Sequence, residues 1–318
     1  MRGEWRSTTR RGFLLGAAGT LGILGMTHTR SRAATRPSSS DSSELTRAGW
    51  MRAPEGNVKR GGVARWAGHI STPHFDLHQG AAAWSTVHLY NNLVRYNLVD
   101  GLRTIIPDLA ERWEISRDGK AYTFFLRRGV TFHDGTPFGA DDVVASFRRI
   151  IFPPKGMASI MRELFDGVDA VEKTDPFTVR FTLKMPRPYL LEVFTVPNCV
   201  IYSKKSLDEN NQDLRKVIAP GTGAFMHKER REGEKWILAK NPNYWDKELP
   251  YMDGLELLHL PEWTDRGVAV LTGQADLSLN TSVEMFQEGA RRGDIVSVRQ
   301  VPSVGVYFLY FNCERKPL

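Results

Sequence analysis

Residues 107–151 form the segment that most constrains what this chain can fold into. Every second residue from 122 to 126 is large and apolar, which is the period-two pattern of a β-strand with a buried face. Residues 133–137 then combine Asp, Gly and Pro, whose backbone preferences favour a tight turn. The segment therefore predicts a strand, followed by a turn that leads into another element.

The last part of the same segment has the pattern of an amphipathic helix, because apolar residues recur at helical spacing from position 143 to position 151. Asp141 and Asp142 fall in its first turn, where negative charge complements the helix dipole. Arg148 and Arg149 fall near its end, where positive charge is favourable for the same reason. Gly139 takes the N-cap position, so we expect the helix to begin just after it.

The whole of residues 107–151 resembles the family motif of the extracellular solute-binding proteins of ABC importers for peptides and nickel, bacterial solute-binding family 5. Residues 221–225, 236–245 and 304–318 resemble further landmarks of that family. The resemblance implies an α/β fold of the periplasmic-binding-protein-like kind (type II, cluster C). It implies a lobe I that carries an inserted α+β subdomain, with lobe II largely absent from the sequence given.

The resemblance and the local composition together predict how the chain is divided. The predicted segments are a twin-arginine signal peptide at 1–34, a disordered linker at 35–57, a lobe I core at 58–90 and 206–300, an inserted subdomain at 91–205, and a crossing strand into the missing lobe II at 301–318. The linker assignment follows from a Ser-, Arg- and Pro-rich composition that is too polar to bury a core. On this interpretation the chain is a fragment that covers little more than half of a family member.

The N-terminus carries an export signal of its own. Arg10 and Arg11 stand before Gly12 and an apolar, Gly-rich stretch, an arrangement that resembles a twin-arginine motif. The apolar stretch, residues 13–26, is shorter than the roughly 20 residues that span a bilayer, so a transmembrane anchor is the weaker alternative. The prediction is export by the twin-arginine route to the periplasm, or outside the membrane of a host that has only one.

Removing the predicted signal peptide changes the charge argument. Residues 1–34 hold six arginines and one glutamate, a net of +5 out of +7 for the chain, which leaves about +2 for the remainder. A chain with so little excess positive charge gives no electrostatic reason to expect nucleic-acid binding. Cys199 and Cys313 could pair in an oxidising compartment, although each also fits an independent core or near-surface position.

The resemblance also implies where a ligand would bind. The loop at 75–83 corresponds to the family loop that edges the cleft, and Phe75 and Asp76 within it are expected to be structural. Residues near the lobe interface and on the crossing strand could contact the solute, with core or interface packing as the alternative for each. The candidate ligand-binding residues are Gln79, Ala81, Ala83, Asn280, Ser282, Ser303, Tyr307 and Phe308.

Three other features allow two interpretations each. His133, next to Asp134, could be a ligand or a base, or a structural residue of its turn. The Gly-Thr-Gly sequence at 221–223 could cradle a phosphate, or it could allow tight backbone packing, which its context favours. His69, His74 and His78 with Asp76 could imitate a metal site, although their spacing in a Pro-broken segment fixes no geometry. We therefore predict no metal site.

The predicted function is the solute-binding component of an ABC importer, which captures a peptide-like solute outside the membrane and delivers it to the permease. The resemblance implies a monomer with no catalytic residues and no cofactor, whose partners are a small-molecule or peptide solute and membrane permease subunits. One alternative is an exported hydrolase, but Gly-x-Ser-x-Gly and His-Glu-x-x-His motifs are both lacking from the sequence. The other alternative is a non-functional truncated remnant.

Overall fold

The computed structural model describes residues 59–69, 71–80, 83–97, 102–278, 280–293 and 296. The predicted signal peptide, linker and crossing strand lie outside these residues. Two main β-sheets and a small β-ribbon are found in the described part. None of the helices described is both long enough and apolar enough to cross a membrane.

The first sheet has five strands and mixes parallel and antiparallel pairing. In spatial order its strands are β11 (Leu277–Ser278), β1 (Val63–Gly68), β10 (Gly254–His259), β9 (Lys235–Lys240) and β8 (Phe225–Arg231). Strand β1 is parallel to both of its neighbours, β10 and β11, whereas β9 pairs antiparallel with β10 and with β8. Such parallel pairs require a long crossover connection, and here α5 (Trp263–Leu271) links β10 to β11.

Helix α5 packs on one face of this sheet through small side chains. Ala269 of the helix is buried together with Ala67 of β1 and with Ala275. Gly267 lets α5 approach α6 (Val283–Arg291) closely, since a Cβ at this position would lie 2.4 Å from the Met285 Cβ. The sequence also predicts these two helices, one at about 263–271 that Gly273 ends and one around 283–291, and both are confirmed.

The second sheet is antiparallel throughout and belongs to the predicted subdomain. Its strands, in spatial order, are β4 (Ala110–Ile115), β5 (Ala121–Leu126), β7 (Thr178–Leu183) and β6 (Val168–Asp175). The ribbon of β2 (Val94–Tyr96) and β3 (Ile105–Pro107) precedes it. The predicted strand at 122–126 is confirmed as part of β5, and its alternate large side chains are buried.

Helix α2 (Ala140–Ile151) covers this second sheet and begins after Gly139, as the sequence predicts. The backbone N–H of Gly139 donates to Asp142 Oδ2 at 2.9 Å. The other Asp142 oxygen accepts from the backbone N–H of Lys204 at 2.8 Å. One carboxylate therefore closes the start of α2 and attaches the chain that leads into α4 (Lys204–Glu209).

The core between α2 and the second sheet is built on phenylalanines. Phe147 of α2 contacts Phe165, Phe181 and Phe194 edge to face, with ring centroids 5.0–5.6 Å apart. Edge-to-face pairs of this kind contribute about 0.5–1.5 kcal/mol each beyond the area that they bury. The remaining short helices are α1 (Ala83–Thr86), α3 (Leu190–Val193) and the 3-10 turns Leu77–Gln79, Val87–Leu89, Arg162–Phe165 and Pro197–Cys199.

Two hydrophobic cores, the phenylalanine cluster and a second core that contains Trp236, meet along the segment between α3 and α4. Cys199 and Ile201 are buried with the phenylalanine cluster, whereas Val200 and Tyr202 are buried with Trp236 of the five-stranded sheet. Alternate side chains of one extended segment thus serve different cores. The predicted boundary at residue 205 remains a prediction, because the cores divide residue by residue just before it.

The Gly-Thr-Gly sequence joins the two halves by close backbone packing. A Cβ on Gly221 would lie 1.9 Å from the Leu89 carbonyl oxygen, and one on Gly223 would lie 2.4 Å from the Leu89 carbonyl carbon. The Gly223 N–H donates to the Leu89 oxygen at 2.9 Å. His133 is attached to the same segment, with Nε2 3.0 Å from the Gly223 oxygen and Nδ1 accepting from the Gly221 N–H at 3.2 Å. The packing interpretation of 221–223 is confirmed, and His133 has a structural role.

Replacing Gly223 with Ala should lower the free energy of unfolding by about 1–3 kcal/mol or more, because the added methyl would overlap fixed backbone atoms. Urea denaturation followed by circular dichroism measures this change. Gly293→Ala is the control, since among the described residues its Cβ would come no closer than 3.6 Å to an atom, the Ala290 oxygen. Equal effects of the two substitutions would contradict the packing argument.

Candidate ligand-binding edge

The carboxyl ends of three parallel strands meet at one edge of the five-stranded sheet. Gly68 at the end of β1 pairs with His259 at the end of β10, and β11 ends beside them at Ser278. Helices α5 and α6 start just after β10 and β11, so both begin at this edge. In α/β sheets the crevice outside the carboxyl ends of parallel strands is the usual place for a ligand. This edge is therefore the candidate site.

Two of the predicted ligand-binding residues lie at this edge. Asn280 is exposed and has a left-handed backbone, with φ of 62°. Ser282 caps α6, because its hydroxyl accepts from the backbone N–H of Met285 at 3.3 Å. The Thr281 hydroxyl between them donates to the Trp263 carbonyl at 3.2 Å and so links the two connections. Asn280 thus presents an accessible polar side chain, whereas Ser282 has a structural hydrogen bond.

Gln79 lies in the loop that leaves β1. Its side-chain amide donates to Asp76 Oδ2 at 2.8 Å, so the amide nitrogen is held by the loop itself. The Leu77 N–H donates to the Tyr202 hydroxyl at 2.9 Å, and its carbonyl accepts from Asn198 Nδ2 at 2.7 Å. The loop is therefore fixed from both sides before it reaches Gly80, which has φ of 95°.

The other predicted site residues are less informative. Ala83 begins helix α1. Ala81, Ser303, Tyr307 and Phe308 lie outside the described residues, and so do Arg10 and Arg11 of the export motif. The roles of all these positions stay predictions.

A buried ion pair anchors the loop. Arg149, near the end of α2, donates from Nη1 to Asp76 Oδ1 at 3.1 Å, and its other terminal nitrogen bonds to Oδ2. The same Nη1 lies 2.9 Å from His78 Nδ1, while His78 Nε2 lies 3.0 Å from the Val200 carbonyl oxygen. Nε2 therefore carries the imidazole proton and Nδ1 accepts. All three side chains are almost completely buried.

The pKa values in this network follow from burial and from the fixed charge of Arg149. Burial opposes ionisation of Asp76, but the hydrogen bonds and charge of Arg149 outweigh it, so the pKa of Asp76 is below its usual value. Burial and then the charge of Arg149 lower the pKa of His78 from 6.5 to about 4. The network at neutral pH is thus an ionised pair beside a neutral histidine. The expected structural role of Asp76 is confirmed.

From the sequence, Arg149 was predicted only as a positive charge near the end of a helix. The structure shows instead a buried partner for Asp76, which hydrophobic periodicity could not indicate because the two residues are 73 positions apart. No local signal in the sequence indicates this pairing, because Arg149 lies in the last turn of α2, where an exposed cation is equally expected.

An apolar surface adjoins the loop. The Ile160 N–H donates to the His78 carbonyl at 3.2 Å, and a Cβ on Gly80 would lie 3.4 Å from Ile160 Cγ2. Ile160 is 52% exposed, as is Phe152, and Leu164 is 45% exposed. Ile160 therefore offers an exposed apolar side chain beside the loop predicted to edge the cleft, and Phe152 and Leu164 expose two more in the same segment after α2. This surface was not predicted from the sequence.

His69, His74 and His78, which could have imitated a metal site, do not form a metal-binding cluster. His78 is turned into the buried network, whereas His69 faces His259 across the parallel strands, with ring centroids 5.3 Å apart. Within the described ranges, no group of three or more His, Cys, Asp or Glu side chains could hold a metal ion.

The fold described above is that of the type II periplasmic binding proteins, and the solved structures that it matches belong to that class. Residues 104–318 match the family described as bacterial extracellular solute-binding proteins, family 5 Middle. The chain therefore belongs to the family 5 extracellular solute-binding proteins.

Individual relatives support the same assignment. The chain is 29% identical over 256 residues to the dipeptide-binding protein of Escherichia coli K12, covering 74% of this chain and 46% of that one. It is 31% identical over 255 residues to heme-binding protein A of Haemophilus influenzae, covering 73% and 45%. The structure of the binding protein DppA from Helicobacter pylori with peptide STSA matches with a TM-score of 0.64 and 28% identity, covering 73% and 49%. The chain thus spans about half the length of the relatives it matches.

Replacing Asp76 with Ala should lower the free energy of unfolding by about 3–5 kcal/mol, because it leaves Arg149 buried without its carboxylate. Asp208→Ala is the matched control: it removes an ion pair with Lys204 whose side chains are about half exposed, and such a pair contributes at most about 0.5 kcal/mol. Urea unfolding at pH 7 distinguishes the two. A loss below about 1 kcal/mol in the Asp76 variant would show that the ion pair does not anchor the loop.

The free energy of unfolding should also fall as the pH drops from about 6.5 to about 4, since unfolded chains protonate His78 in this range and the folded protein does not. The contribution of one such group has a slope of at most about 1.4 kcal/mol per pH unit. His78→Gln removes this titration, so urea unfolding across the range should give a shallower pH dependence in the variant. Identical slopes in the two proteins would refute the assignment of His78.

Proposed function

We propose that this chain is part of the solute-binding component of an ABC importer, and that it captures a peptide-like solute at the carboxyl edge of β1, β10 and β11. The observation that carries the proposal is the convergence of three parallel strand ends, two helix starts and the anchored loop at one edge. Membership of family 5 supports it, because the relatives named above bind dipeptides, heme and a tetrapeptide.

The chemistry of the edge suits binding and not bond cleavage. Solute pockets combine apolar walls with a few fixed polar groups that set orientation. Here Ile160 supplies apolar surface beside the loop, and Asn280 supplies an exposed amide. We propose no catalytic residue, because the buried carboxylates Asp76, Asp108 and Asp142 in the described part of the chain all accept hydrogen bonds within the fold.

The rigid anchoring of the loop at 77–80 would favour solute binding. A binding protein closes over its solute only to the extent that the solute prefers the closed form. Contacts on one lobe contribute most when they are already in place, since no ordering cost is then paid on binding. The Asp76–Arg149 pair holds the loop at 77–80 in this way.

The remaining sequence-based predictions complete the proposal. Arg10 and Arg11 would direct export by the twin-arginine route, which would place the protein in the periplasm. Ala81, Ala83, Ser303, Tyr307 and Phe308 would contact the solute together with Gln79, Asn280 and Ser282. The protein would act as a monomer on membrane permease subunits, without a cofactor and without nucleic acid.

Isothermal titration calorimetry of the 318-residue chain with dialanine and with a tetrapeptide tests the proposal. We expect saturable binding, weakened about tenfold by Asn280→Gly, which removes the amide but keeps a residue that accepts positive φ. Lys184→Ala, which removes an exposed side chain beyond the end of β7, should leave the affinity unchanged. If neither dialanine nor the tetrapeptide binds, the peptide assignment is overturned.

A further inference from the structure

Three basic side chains converge at the candidate edge. Leu257 of β10 pairs with Trp236 of β9, and Trp236 pairs with Arg230 of β8, so these residues share one face of the sheet. His259 lies two residues after Leu257 and therefore belongs to the same face. His69 follows the end of β1 and meets the His259 ring at 5.3 Å, with the ring planes tilted by 44°. We call His69, His259 and Arg230 the edge cluster.

Arg230 is positioned by aromatic faces. Its guanidinium carbon lies 4.8 Å from the centre of the Phe75 ring and 5.8 Å from that of Trp236. Among the residues that the structure describes, no carboxylate pairs with Arg230; the nearby carboxylates of Glu229 and Glu234 pair with Arg231 instead. The charge of Arg230 is therefore oriented by aromatic rings, and no carboxylate in the described part of the chain neutralises it.

The electrostatic surroundings of His259 are positive. Burial, then His69, Arg266 and Arg230, in that order, lower the pKa of the His259 imidazole. Arg266 is not available to a ligand, because its guanidinium donates to the carbonyls of Leu260 and Pro261. The edge therefore disfavours a further positive charge and favours a negative one.

We propose that the edge cluster is a cationic subsite on lobe I that binds the carboxylate of the solute. The proposal rests on the solute-binding function proposed above and narrows its substrate class to solutes that carry an accessible anionic group. The Arg230 guanidinium can donate a charge-assisted hydrogen bond to a carboxylate, about twice as strong as a neutral one, and the negative charge of that carboxylate would favour protonation of His259. A bare metal cation does not fit this subsite, since the positive charges of Arg266 and Arg230 act electrostatically on His259 and would repel a cation bound there.

Nuclear magnetic resonance titration of the histidine ring protons in the full chain tests this subsite. The probe is N-acetylglycine, and N-acetylglycinamide is the matched control that lacks the carboxylate. Bound carboxylate should raise the pKa of His259 by about one unit, as an opposite charge within hydrogen-bonding distance does. The amide should leave this pKa unchanged. His69→Gln and His259→Gln assign the two resonances.

Substitution of Arg230 provides the second readout. Arg230→Gln should abolish the shift caused by N-acetylglycine, and Arg230→Lys, which keeps the charge, should retain part of it. Arg128→Gln is the control, because Arg128 lies over the Phe177 ring at 4.4 Å in the subdomain and should not affect His259. A His259 pKa that responds equally to the acid and the amide, or that is indifferent to Arg230→Gln, overturns the proposal.

The two experiments can overturn the proposed solute-binding function and the proposed carboxylate subsite independently of each other. A His259 shift with N-acetylglycine in a protein that does not bind dialanine would support the subsite and overturn the peptide assignment. Dialanine binding without any carboxylate-dependent shift would support the solute-binding function and overturn the subsite. In a protein with both properties, loss of the Arg230 charge should weaken dialanine binding about tenfold.

Discussion

The ion pair between Asp76 and Arg149 is the interaction on which the arrangement of this chain most depends. It connects the loop that leaves the five-stranded sheet with the helix that covers the four-stranded sheet. A charge buried to this extent is tolerated only when its partner and its other hydrogen bonds are fixed. His78 and the carbonyl of Gln212 complete the coordination of Arg149, so the pair also determines the position of the residues around it.

Two other sets of contacts, which involve no ion pair, also join the five-stranded sheet to the subdomain. We call this connection, together with the Asp76–Arg149 pair, the junction. The Gly-Thr-Gly backbone packs directly on Leu89, and His133 is hydrogen-bonded to the same glycines. Tyr202 fills the space beside His78, with ring centroids 4.7 Å apart, and accepts from the loop backbone. These contacts are short in space and long in sequence, so each one constrains how the two sheets meet. These contacts hold the loop at the candidate edge in a fixed position.

This organisation has a consequence for ligand binding. The residues that fix the loop point away from solvent, whereas Asn280, His69 and the apolar side chains near Ile160 remain accessible. Positioning and contact are thus divided between different residues. A substitution in the junction should therefore affect stability first, and a substitution at the edge should affect affinity with little change in stability.

Much of the fold could be predicted from local pattern. The strand and helix of residues 107–151, the cap at Gly139 and the helices α5 and α6 follow from periodicity and end signals, which depend on neighbours in sequence. Less of the candidate site could be predicted: Asn280 and Ser282 were expected near the lobe interface and lie just after β11, but the exposed apolar side chain of Ile160 beside the loop was not predicted. That surface exists only because the segment after α2 returns to His78.

The sequence by itself determined which segments become strands and helices, because hydrophobic period and capping are properties of a few adjacent residues. It also determined the family, through a dense run of residues in a fixed order. Only the tertiary structure decided that Arg149 is a buried partner of Asp76 and that His69, His259 and Arg230 share one edge. The physical reason is that strand pairing and burial bring together charges that are far apart along the chain, and no local pattern specifies such pairs.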